Sequence, residues 1–91
     1  MTATLSLYHL RTCPFCLKVR RAAAELGIEL ELIDIAADPA ARRRLLDARG
    51  RATVPVLSIP TEDGGEQLLP ESNDIVAYLR RHAASLRSTA A

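Results

Sequence analysis

Hydrophobic positions change period several times along this chain, and each change marks a boundary. Residues 4–8 are large, mostly apolar and only partly alternating, which reads as a buried strand. From Cys16 the period becomes helical. Cys16, Val19, Ala23 and Leu26 recur at spacings of three and four and share one face, which Leu17 and Ala24 widen. Lys18, Arg20, Arg21 and Glu25 fall elsewhere and are expected in water. Gly27 suits the left-handed position that closes a helix. Residues 29–35 then alternate with period two, a second strand. Strand, helix and strand joined by short turns make a βαβ unit, with parallel strands and a right-handed crossover.

Asp38-Pro39 opens a second helix, with Asp38 as N-cap and Pro39 in the first position. Its inner face is expected to carry Ala41, Leu45 and Ala48, and Gly50 stops it. Residues 54–59 are apolar and β-prone. Proline gives no N–H to a ladder, so Pro55 has to start this strand or lie at an edge. Thr61-Glu62-Asp63-Gly64-Gly65 is a hairpin turn, and residues 67–69 form a short returning strand. Ser72 is the expected N-cap of a last helix whose stripe is Ile75, Leu79, His82 and Leu86. Residues 1–87 thus form one domain, and the small, polar tail 88–91 is expected to fray. There is no internal repeat, linker or second domain in the pattern.

Length and charge narrow the possibilities. A chain of 91 residues supports one modest core, and 48% hydrophobic residues suffice to fold it without a metal or a staple. A formal net charge of +1 gives no broad field to draw nucleic acid or membrane. The run Arg42-Arg43-Arg44 reads as a solvated helix face. Met1 to Thr4 lack a basic leader pattern, and no apolar run approaches the ~20 residues of a membrane span. A cytoplasmic, reducing setting is the expectation.

The chemistry concentrates in Cys13-Pro14-Phe15-Cys16. Two thiols three positions apart, at a strand-to-helix junction, are the pattern of a thiol–disulfide redox site. The loop they close is too short for a structural staple. Pro14 fits the first helical turn, because its φ suits that position and its missing N–H is not needed there. Cys13 then lies at the helix N-terminus, where unpaired N–H groups and the positive dipole end favour a thiolate. Cys16, one turn later, can close a disulfide with it. His9 is expected to be an exposed loop histidine, His82 a half-buried packing residue, and Tyr8 a packing residue at the strand end. Phe15, exposed between the thiols, is expected to meet partners.

Three stretches resemble known families. Cys-Pro-Phe-Cys is similar to the Cys-Pro-Tyr-Cys of dithiol glutaredoxins. Thr53-Val54-Pro55 resembles the glutaredoxin Thr-Val-Pro, where the proline is cis. Pro70-Glu71-Ser72-Asn73-Asp74-Ile75 resembles the Glu-Ser-x-x-Ile of glutathione transferase N-terminal domains. The resemblance spans nearly the whole chain. It implies a thioredoxin-like, glutaredoxin-type α/β fold, βαβαββα, with a four-stranded mixed sheet flanked by three helices. It also implies glutathione as co-substrate and no metal. Cys13 and Cys16 become the catalytic pair. Arg11, Phe15, Arg51, Thr53, Val54, Pro55, Glu71, Ser72 and Asn73 become the glutathione-binding residues.

In that scheme a cis Val54–Pro55 bond turns the Val54 backbone toward an extended tripeptide. The N-terminus of the last helix, at Ser72 and Asn73, receives the γ-glutamyl carboxylate, and Glu71 takes the amino group. Small glutaredoxins carry a lysine three residues before the first active cysteine, and Leu10 stands there instead. Arg11 and Arg51 are the replacements at hand for the glycyl carboxylate. The transferase resemblance covers one domain, and the all-helical second domain of transferases is not expected here. The resemblance implies a monomeric glutathione-dependent oxidoreductase acting on disulfide-bonded or glutathionylated proteins. The alternative is a non-catalytic module that binds glutathione or a partner. A cluster-bridged dimer, held through Cys13 and glutathione, is disfavoured by Pro14.

Overall fold

The computed structural model describes residues 5–87, with side chains to Ser85. Strand β1 (Leu5–His9), helix α1 (Pro14–Leu26), strand β2 (Leu30–Asp34) and helix α2 (Pro39–Arg49) come first. Strands β3 (Val56–Pro60) and β4 (Glu66–Pro70), then helices α3 (Ser72–Arg81) and α4 (Ala83–Arg87), complete the chain. The sheet order is β2-β1-β3-β4. β1 and β2 run parallel, and β1–β3 and β3–β4 are antiparallel. This is the four-stranded mixed sheet of a thioredoxin-like fold. Thr4 and the tail 88–91, expected in β1 and as a frayed end, lie outside the described residues.

Alternation along β1 divides the core in two. Leu5 and Leu7 face α1 and α3, where Val19, Ala23, Leu57, Ile75 and Leu79 close the larger cluster. Tyr8 faces α2, where Ala41, Leu45, Ile35 and Val56 close the smaller one. α1 packs on α3, so the larger cluster ties the cysteine-bearing helix to the helix that begins at Ser72.

The helix ends follow the chain's punctuation. Gly27 and Gly50 both take the left-handed conformation, with φ of 73° and 75°. Asp38 accepts a hydrogen bond from the Ala41 N–H at 3.1 Å. Asp38→Ala is expected to cost ~1 kcal/mol, the usual worth of an N-cap, read by chemical denaturation.

Several expectations need correction. The buried stripe of α1 is Cys16, Val19, Ala22 and Ala23. Leu17 and Ala24 are exposed, because α1 is rotated to meet α3 with Ala22 inward. Leu17 instead borders a shallow apolar hollow between α1 and β2, with Leu32 opposite. Ala48 is exposed as well, because α2 touches the sheet only through its first two turns, at Ala41 and Leu45.

The N-cap position of α3 is Glu71, not Ser72. Glu71 has φ 74° and its side chain makes no capping bond, while Ser72 is the first helical residue and is buried. The stripe expected to run on to Leu86 is interrupted at His82, where α3 ends and the short α4 begins; the Leu86 side chain is outside those described. His9 is not exposed. It is the last residue of β1 and only 5% exposed, since by alternation it shares the sheet face of Leu5 and Leu7 that α1 and α3 cover.

Candidate functional site

The redox motif sits at the top of α1. Cys13 is the N-cap, extended at φ −79° and ψ 118°, and its Sγ accepts the Cys16 backbone N–H at 3.4 Å. Its carbonyl accepts the Leu17 N–H at 3.0 Å, and its own N–H donates to the Leu10 carbonyl at 3.1 Å. The loop and the first turn therefore hold Cys13 from both sides while leaving it partly exposed. Cys16 is fully buried. Burial pushes its thiol up to about 12, partly offset by the Leu10 backbone N–H aimed at its sulfur. Both cysteines are free thiols.

Beside Phe15 opens a groove of about 320 Å³. One wall is Thr53, Val54 and Pro55, and the facing wall is Glu71, Ser72 and Asn73. The Val54–Pro55 peptide is cis. Pro55 precedes β3, so Val54 lies outside the ladder, which starts at Val56. Phe15 is 61% exposed at one end, and Arg51 lines the groove. Of the nine residues expected around glutathione, only Arg11 is absent from the lining. It is exposed in the loop before Cys13.

Two residues that sequence reasoning missed also belong here. Arg49, in the last turn of α2, lines the groove and donates from Nη1 to Thr53 Oγ1 at 3.2 Å. Lys18 of α1 donates to Asn73 Oδ1 and so ties the helix of the cysteines to the groove wall. Neither had a local signal, because each is a long, exposed side chain reaching a residue that is remote or across a turn.

The other candidates are elsewhere. Tyr8 is buried, with its hydroxyl between Glu66 and Arg44 Nε. His82 is half-buried and packs on the Tyr78 ring at a centroid separation of 4.3 Å. Arg42, Arg43 and Arg44 lie on an exposed face, and Arg43 pairs with Asp47. Among the described residues no group of three or more His, Cys, Asp or Glu side chains could hold a metal. No described helix is long and apolar enough to cross a membrane.

A family profile described as "Glutathione S-transferase, N-terminal domain" matches residues 7–86. The chain belongs to that family. Among solved structures, this transferase-type domain is similar to TDR1, a trimeric glutathione transferase of Leishmania. The identity is 28% and the TM-score 0.73, over 91% of this chain and 18% of that one. It is also similar to Ure2p solved with glutathione, at 23% identity and TM-score 0.69, over 90% of this chain and 34% of that one. The thioredoxin-like protein BC3987 matches at 24% identity and TM-score 0.66, over 86% of this chain and 97% of that one. The last two show the shared fold. The domain thus spans well under two thirds of TDR1 and of Ure2p, and nearly all of the thioredoxin-like protein. No curated protein matches it.

Proposed function

We propose that this transferase-type domain is a glutathione-dependent thiol–disulfide oxidoreductase of the glutaredoxin kind, working in a reducing compartment as a monomer. The single observation that carries the reading is the juxtaposition of two things. A partly exposed Cys13 caps a helix above a buried second thiol, and Phe15, two residues on, lines a groove walled by residues 53–55 and 71–73.

The Cys13 thiolate attacks the glutathione sulfur of a protein–glutathione disulfide. A Cys13–glutathione bond forms, and the protein thiolate leaves and takes a proton from water. A second glutathione thiolate then attacks that adduct, giving glutathione disulfide and regenerating Cys13. In the dithiol route Cys16 attacks Cys13 instead, glutathione leaves, and the resulting Cys13–Cys16 disulfide is reduced by two further glutathione molecules. Potentials of roughly −200 to −230 mV in glutaredoxins suit that reductant.

In the groove, the Val54 backbone pairs with the tripeptide as an added strand. The N–H groups at Ser72 and Asn73 receive the γ-glutamyl carboxylate, and Glu71 takes its amino group. Arg51, with Arg49 beside Thr53, meets the glycyl carboxylate in place of Arg11, which lies off the groove. Phe15 contacts the incoming protein.

Turnover of a small glutathionylated disulfide tests the proposal. Activity with glutathione as electron source is the expected result. Activity only with thioredoxin reductase would move the chain to a thioredoxin-like role. Tight glutathione binding with no turnover would favour the rival, a binding module, which the Glu71-Ser72 stretch keeps in view.

A further inference from the structure

Three large apolar side chains stand exposed among the described residues: Phe15, Leu17 and Leu32. Phe15 belongs to the groove. Leu17 and Leu32 face a different opening, the hollow of about 320 Å³ between α1 and β2. β2 is an edge strand of the sheet. Leu30 and Leu32 are the register partners of Leu5 and Leu7, so they stand on the face that α1 covers. The opposite wall is a helical stripe of Leu17, Arg20, Arg21 and Ala24, related by steps of three and four.

Position and charge say what this hollow takes. Cys13 precedes Leu17 by four residues, and its carbonyl accepts the Leu17 N–H at 3.0 Å, so Cys13 heads the same stripe. At ~1.5 Å of rise per residue, the stripe runs from about 6 to about 17 Å beyond Cys13. An extended chain covers that in about two to five residues. Phe15 and Leu17, two residues apart, point to opposite sides of the helix, so the hollow leads away from the groove assigned to glutathione. Among the described residues, the charged side chains lining it are Arg20 and Arg21, no carboxylate lines it, and neither arginine forms an ion pair. Glu31 of β2 stands on the other face of the sheet. An apolar floor rimmed by two unpaired cations fits an apolar side chain flanked by carboxylates.

We propose that the hollow seats the polypeptide flanking the glutathionylated cysteine of a protein substrate, as an extended segment with an apolar side chain between Asp or Glu residues. The inference rests on the oxidoreductase reading above and names its substrate class. Glutathione fills the groove on the Phe15 side of α1. The protein half of the mixed disulfide lies along the Leu17 side, and Cys13 attacks between them. The two arginines speed encounter with an acidic segment and disfavour a basic one. The apolar side chain gains by leaving water between Leu17 and Leu32. Proteins whose modified cysteine sits in a basic segment are therefore poor substrates.

The test uses two glutathionylated peptides and a small glutathione mixed disulfide in a glutathione-reductase-coupled assay. Each peptide carries Leu about four residues from the cysteine on both sides, flanked by Glu in one peptide and by Lys in the other. The wild type is expected to show a kcat/KM ~10-fold higher for the Glu peptide at low salt, with the preference collapsing near 1 M salt. Arg21→Glu should reverse the preference. Leu17→Ala should lower kcat/KM for the Glu peptide ~5-fold, the worth of a partly buried leucine. Both variants should turn over the small disulfide as the wild type does.

Equal turnover of the two peptides by the wild type would overturn the docking role without any variant. So would an Arg21→Glu protein that keeps the wild-type preference. A variant that loses the small disulfide in step with the Glu peptide also overturns it, because the effect then lies in the Cys13 chemistry and not in the hollow. No turnover of the small disulfide by the wild type would instead sink the oxidoreductase reading and take the docking role with it.

Discussion

Cys13→Ser is expected to reduce glutathione-coupled disulfide reduction to background, while Cys16→Ser keeps the release of glutathione from mixed disulfides. The asymmetry follows from where the two sulfurs lie. Cys13 is partly exposed at the helix N-terminus, where its sulfur accepts the Cys16 N–H at 3.4 Å. A serine hydroxyl there would not ionise near neutrality and is a far poorer nucleophile toward sulfur. Cys16 is fully buried with its thiol pushed up to about 12, so an external disulfide meets Cys13 first. Removing Cys16 deletes only the intramolecular route, and a second glutathione still completes the monothiol cycle. The check is a glutathione-reductase-coupled assay on a glutathionylated protein and on a protein with an internal disulfide. Equal loss from both variants on the glutathionylated substrate would refute the division of roles.

The second large effect concerns stability. Leu79→Ala is expected to cost roughly 3 kcal/mol, within the range for a large-to-small change at a filled site. Leu79 is fully buried in the larger cluster, with Leu7, Val19, Leu57 and Ile75 around it. In a chain of this size that loss lowers Tm by about 12–24 °C. The same truncation at Leu17, 38% exposed beside the hollow between α1 and β2, is expected to stay within about 0.5 kcal/mol. Urea titrations of the two variants give the comparison. A similar loss at both positions would mean that the hollow is more tightly closed than described.

Most of the architecture could be read before any coordinates, because its signals are local. Gly27, Gly50 and Asp38-Pro39 each act through their own backbone, and each ends or starts a helix as expected. The groove residues were reachable only through family resemblance. Nothing in the composition or periodicity brings 53–55 against 71–73. What escaped was set by packing between elements. α1 offers small apolar residues on several sides, so its rotation is decided by α3, and Ala22 displaces Leu17 and Ala24 from the core. His9 looked like a loop residue because its burial comes from the helix above it. The break at His82 has no glycine or proline to announce it. Arg49 and Lys18 enter the site through side-chain length, which no spacing rule captures.

Glu71 sets a conflict for anyone wishing to make this domain more heat-resistant. Its φ of 74° is a conformation that glycine adopts freely and glutamate does not, and holding it there costs on the order of 1–3 kcal/mol. Glycine at this place would relax the chain but would also remove the carboxylate that we propose takes the amino group of glutathione. On that proposal, screening for thermal tolerance alone would drift toward a sturdier domain with a weaker grip on glutathione.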